Sequence, residues 1–160
     1  MNDMIIRKIK SDEVEEAMNL ALDVFMEFEA PDYGLLGVET FKKDIVRNSI
    51  FINDVKSGIC PIYCAFIDDK MVAIVGLRKN KTHINLVFTK KEFQRKGIAS
   101  KLFSYVINDL KNENPSLKEI TLNSSPYGLP FYLSFGLIPS GEEQIINGIR
   151  FTPMKYIIEN

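Results

Sequence analysis

Hydrophobic residues change their period several times along the 160-residue chain, and each change marks an element. "MIIRKI" alternates weakly and predicts a first strand. Ser11 with Asp12 then gives an N-cap signal before "VEEAMNLALDVFMEF", where Val14, Met18, Leu22 and Phe25 recur at helical spacing. Pro31, Gly34 and Gly37 in "APDYGLLG" predict a break, after which Glu39 or Thr40 opens a shorter helix through Phe41, Ile45 and Val46. The apolar runs "GICPIYCAFI" and "MVAIVGLRK", joined by "DDK", read as a hairpin. "KNKT" leads on to "HINLVFT", so the three runs predict an antiparallel meander.

In the second half, Ile98, Leu102, Val106 and Leu110 lie on one helical face that ends near "NENP". "SLKEITLNSS" reads as another strand. Ser125-Pro126 reads as an N-cap with proline at the first helical position, opening "PYGLPFYLSFG", which Gly136 closes. Asn147-Gly148 sits between β-type runs in "EEQIINGIRFTPMKYII", a strong short hairpin signal. The order β-α-α-β-β-β-α-β-α-β-β predicts one mixed α/β domain over residues 1–160 with a central sheet.

A net charge of −1 and a pI near 5.9 argue against nucleic acid as a general partner, so cationic clusters have local meaning. "MNDMIIRKIK" lacks the apolar core of a signal peptide, and no apolar run approaches the roughly 18 residues of a membrane span. A cytoplasmic protein without a membrane partner is expected. Cys60 and Cys64, with the single His83, fall short of a metal set and read as reduced, packed thiols.

One stretch runs against helix electrostatics. In "KKEFQRKGIASKLF", Arg95 and Lys96 stand where a helix prefers negative charge. A bound anion reverses that sign, because the first amides of a helix lack intrahelical acceptors and point outward. Gly97 lets a ligand approach the backbone, and Ala99 keeps the next turn small. Neither a Walker loop nor a dinucleotide fingerprint is present; the pattern is Gln94-x-x-Gly97-x-Ala99. By itself it is either an anion cradle or a basic surface loop.

Downstream, "ITLNSSPYGLPFYLSFGL" places Tyr132 four residues before Gly136. Together the two segments, within residues 83–137, resemble the GNAT superfamily of acyl-CoA-dependent N-acetyltransferases. The resemblance implies a mixed, mostly antiparallel sheet of about seven strands flanked by about four helices. It also implies a V-shaped splay between the strands at 83–89 and 119–124, and acetyl-CoA as cosubstrate. Main-chain groups of Phe88 and Thr89 would then pair with the pantetheine arm. The pyrophosphate would lie on the amides of Gln94, Arg95, Lys96, Gly97, Ile98, Ala99 and Ser100, with the Arg95 and Lys96 side chains in support. Lys101 reaches either a further phosphate or solvent. Ser125 stands where the family often has asparagine, and Asn123 contacts the arm or satisfies the strand end. The pattern also departs at Thr89, Lys91, Ala99 and Leu137, where valine, proline, glycine and phenylalanine are commoner.

The same resemblance makes Tyr132 the acid that protonates the leaving thiolate and a backbone N–H near Leu86 to Phe88 the oxyanion donor. For the base, His83 has a suitable ordinary pKa but can equally be structural. Glu27, Glu29, Asp32 and Tyr33 cluster where the first helix breaks. Glu27 is the candidate catalytic carboxylate there, and the cluster either relays an amine proton or is a solvated helix end. The expected activity is direct transfer, in a ternary complex, to a primary amine of a small molecule or a peptide. A catalytically silent acyl-CoA-binding regulatory domain is the alternative, and a nucleotide-binding domain a third. The final apolar hairpin offers either a homodimer edge or a closed monomer edge.

Overall fold

Strand pairing follows the hydrophobic alternation in the middle of the chain. In the computed structural model, which describes residues 3–159, β1 (Met4–Lys8), β2 (Ile62–Ile67), β3 (Lys70–Leu77) and β4 (His83–Thr89) pair antiparallel in that order. The predicted meander is therefore present. Asp68 and Asp69 turn β2 into β3 with φ of 49° and 64°, the left-handed pair that a two-residue hairpin requires. After Lys70 every residue of β3 is buried, because helices cover both faces of the sheet.

α1 (Val14–Phe28), α2 (Gly34–Phe41) and α3 (Ser49–Lys56) cover one face, packing Phe25, Phe41 and Val55 against Ile74, Leu86 and Phe88. α4 (Ile98–Glu113) and α5 (Leu129–Phe135) cover the other, with Leu102, Phe103 and Val106 against Val75, Ile84 and Leu122. A side chain as fully buried as Phe103 contributes roughly 1.5–3 kcal/mol. β5 (Glu119–Ser124) is the one parallel neighbour of β4, and β8 (Ile149–Ile157) continues the sheet antiparallel. β6 (Ile138–Pro139) and β7 (Gln144–Ile146) both pair with β8, β7 through the Asn147-Gly148 turn. Among the described residues, eight strands and five α-helices thus form the expected mixed, mostly antiparallel architecture. No helix among the described residues is long and apolar enough to cross a membrane.

The splay has a structural cause. β4 and β5 pair only at His83↔Thr121 and Ile84↔Leu122. Against β3, Ile84 faces Leu77 while Leu86 faces Gly76, which leaves Asn85 as an extra, bulged residue. A bulge bends its strand and interrupts the ladder, and here the two strands diverge from that point on.

Several helix ends differ from expectation. Ser11 and Asp12 do not cap α1; they lie in a short 3₁₀ turn, Ser11–Glu13. The Glu13 carboxylate accepts the Lys10 amide at 2.7 Å and the two prongs of the Arg7 guanidinium at 2.8 and 2.9 Å. That fork holds its carboxyl down at about 2, against burial, which acts the other way. Gly34 opens α2 instead of ending a helix, and Gly37 lies inside α2 because it meets Gly148 at the β7–β8 hairpin tip. α3, which the pattern does not show, starts at an Asn48 cap whose side chain accepts the Phe51 amide at 3.0 Å. α5 starts at Leu129 and not at Pro126. Pro130 sits in its first turn, and Ser125 Oγ accepts the Gly128 amide at 3.0 Å to hold the preceding turn.

Candidate active site

The segment after β4 forms an open cradle. Arg95 and Gly97 are both left-handed (φ 61° and 79°), which swings the chain out of the strand and into α4. Lys101 N–H donates to Gly97 O at 3.1 Å, the first bond of the helix, and no side chain caps it. The amides from Gly97 to Ser100 therefore have no intrahelical acceptor. A Cβ built on Gly97 would meet no protein atom within 4 Å, so packing does not demand glycine there. Its left-handed φ does, and the clear space before it admits an anion. These residues fit a pyrophosphate on physical grounds.

A cavity of about 380 Å³ extends from this cradle between the divergent strands. Phe88, Thr89, Gln94, Arg95, Gly97, Ala99, Ser100, Ser125 and Tyr132 line it, which brings together most of the sequence-predicted binding residues. Three lie apart. Lys96 is exposed, with its ammonium 5.9 Å over the Phe93 ring. Ile98 buries its side chain in the core, so only its amide serves the cradle. Asn123 lies deeper, beyond this first cavity. Sequence reasoning missed Tyr127, whose hydroxyl donates to Gln94 Oε1 at 2.6 Å while Gln94 Nε2 donates to Thr89 O at 2.9 Å. Tyr127 also stacks on Phe28 at the end of α1, 4.8 Å between centroids. These contacts tie the two lips of the cleft together.

A second cavity, about 520 Å³, opens on the far side under α2, α3 and the β7–β8 hairpin. Phe25, Tyr33, Phe41 and Phe88 supply apolar wall, and Glu29, Asp44, Asn85 and Asn123 supply polar atoms. A passage of about 50 Å³, lined by Glu29, Asn85, Phe88, Asn123, Ser125 and Tyr132, lies where the two chambers meet. Glu29 and Phe88 touch all three spaces.

The titratable groups sort by position. Burial, then the charge of Asp32, pushes the Glu29 carboxyl up to about 8. Burial also raises the Tyr132 phenol well above its ordinary value, so it stays a proton donor at neutral pH. Glu27, two residues earlier, is exposed, lines none of the three spaces and pairs with Lys91 at 3.3 Å. The structure thus separates Glu27 from Tyr132 and brings Glu29 to it. His83 lines the second cavity, with Nδ1 2.8 Å from Thr121 Oγ1. Burial and Arg78 hold its imidazole down at about 4, a poor acceptor for an ammonium proton. Cys60 also lines this cavity. Burial raises its thiol and leaves it un-ionised.

An anion cradle and a second chamber that share lining residues, on a splayed mixed sheet, fit a group-transfer enzyme. Residues 29–158 match the family model described as "Acetyltransferase (GNAT) domain", and the chain belongs to this acyltransferase family. A search of curated proteins returns no match. Among solved structures, a GCN5-related N-acetyltransferase from Rhodopseudomonas palustris is similar at a TM-score of 0.82 and 14% identity, covering 99% of this chain and 98% of that one. The PaiA N-acetyltransferase from Thermoplasma acidophilum, in complex with coenzyme A, gives 0.74 at 18% identity over 98% and 99%. Spermidine N-acetyltransferase from Vibrio cholerae, in complex with CoA and spermine, gives 0.63 at 16% identity over 96% and 95%. At these identities the likeness is one of fold.

Proposed function

We propose that the protein is an acetyl-CoA-dependent N-acetyltransferase acting directly on a primary amine. The observation that carries this reading is that Glu29 and Tyr132 both line the small passage between the two chambers. One is a carboxyl that titrates near neutrality, the other a phenol that keeps its proton. Two unbridged, buried cysteines fit a cytoplasmic setting.

Each residue then has a defined task. Amides from Gly97 to Ser100, with Arg95, hold the pyrophosphate. Acetyl-CoA supplies an activated thioester whose carbonyl carbon an amine can attack. Lys90 N–H donates to Val72 O on β3, so by ladder alternation the main-chain groups of Val87 and Thr89 face the gap while those of Phe88 face β3. This leaves Thr89, and not Phe88, to offer its main chain to the pantetheine arm. The Val87 N–H is therefore the donor that meets the developing oxyanion. Glu29 removes the amine proton, and Tyr132 gives its proton to the departing sulfur.

Tyr132→Phe tests this assignment because it keeps the ring and removes the proton. Turnover should fall by roughly 10²–10⁴-fold with CoA affinity nearly retained, measured by steady-state kinetics beside a CoA titration. Unchanged turnover would remove Tyr132 from the mechanism.

A further inference from the structure

Asn85 is the residue that the bulge adds to β4, and bulges re-aim the side chain they add. Among the described residues, its Oδ1 is the one buried side-chain polar atom without a hydrogen-bond partner. Buried acceptors are nearly always paired, so this one is set up for a donor that the fold does not supply. Asn85 lines the second chamber and the passage but not the cofactor-side cavity. The donor therefore arrives from the acceptor side, within the same small space as Glu29 and Tyr132.

We infer that Asn85 selects primary over secondary amines by accepting one N–H of the attacking nitrogen. The inference rests on the amine-acetyltransferase reading above. As the N–C bond forms and the C–S bond breaks, the nitrogen must aim its lone pair at the acyl carbon. A primary amine then has two N–H groups left: one proton passes to Glu29, and the other N–H binds Asn85. The leaving sulfur takes its proton from Tyr132. A secondary amine has a single N–H and must leave either Asn85 or Glu29 unmatched. A site built around a buried acceptor rejects a ligand that lacks the matching donor.

The test pairs n-butylamine, 2-phenylethylamine and putrescine with their mono-N-methyl derivatives. In the parent enzyme each primary amine should exceed its N-methyl partner in kcat/KM by roughly tenfold to a hundredfold. Asn85→Leu keeps the volume and removes the acceptor, so the ratio should collapse toward one with the KM for acetyl-CoA unchanged. Asn85→Asp keeps an acceptor and should preserve the ratio. Isothermal titration of the primary amines into the CoA-loaded protein, where no transfer occurs, should show Asn85→Leu binding them more weakly than the parent and Asn85→Asp binding them as well as the parent does. A kcat/KM ratio undiminished in Asn85→Leu overturns the inference while leaving the enzyme reading intact. Failure of the parent to acetylate any amine defeats the reading on which the inference rests.

Discussion

Glu27 and Glu29 are two residues apart at the end of α1, about 200° around a helix, so they face different surroundings. Glu27 meets Lys91 and solvent; Glu29 meets the passage and titrates near 8. Activity in the parent should therefore rise with pH up to about 8, and Glu29→Gln should abolish that limb and most of the rate, read from kcat/KM against pH. The same group links to stability. Its folded pKa lies above the ordinary 4.5, so the folded state keeps a proton that the unfolded chain has released. The stability this proton contributes is complete below about 4.5 and is lost as pH rises through about 8. Melting curves should show Glu29→Gln gaining on the parent between about pH 4.5 and pH 8 and levelling off above that. At this scale the sequence was legible where chemistry is bound to spacing. Gln94-x-x-Gly97 and Tyr132 marked the cleft, but the choice between Glu27 and Glu29 depends on helix phase at a terminus, which the pattern does not carry.

Elements were legible where one face is buried and obscure where it is not. The meander and α4 show clean periodicity because each packs a continuous stripe into the core. α3 buries only Val55, and α2 hides behind glycines that look like breakers. Those glycines serve a contact: a Cβ on Gly148 would overlap the backbone of Gly37, and Thr40 Oγ1 donates to Asn147 O at 2.6 Å beside them. The hairpin and α2 thus close one side of the second chamber, which Thr40 and Ile149 both line. Gly148→Ala combines this overlap with a φ of +80°, so it should cost about 1–3 kcal/mol. It should raise the acceptor KM severalfold without changing CoA affinity, a split that kinetics and a CoA titration can resolve.

Across the whole molecule, the bulge at Asn85 governs the site more than any single motif. It ends the β4–β5 ladder after two paired positions, opens the cleft and places Asn85 on the wall of the second chamber. The alternation of "HINLVFT" looks uninterrupted in the sequence, so neither the bulge nor Asn85 could be read from it. The two chambers meet at Glu29 and Tyr132, which supports direct transfer in a ternary complex. Cys60, the one thiol on the chamber wall, is held un-ionised and is a poor acyl carrier. Acetyltransferase activity toward amines is most directly tested by CoA release from acetyl-CoA, with and without a broad amine panel, and mass spectrometry of the products. The account predicts thiol release that depends on the amine, with an N-acetylated product. CoA binding accompanied by the same slow release whatever amine is added would contradict it and make the domain a silent acyl-CoA-binding module.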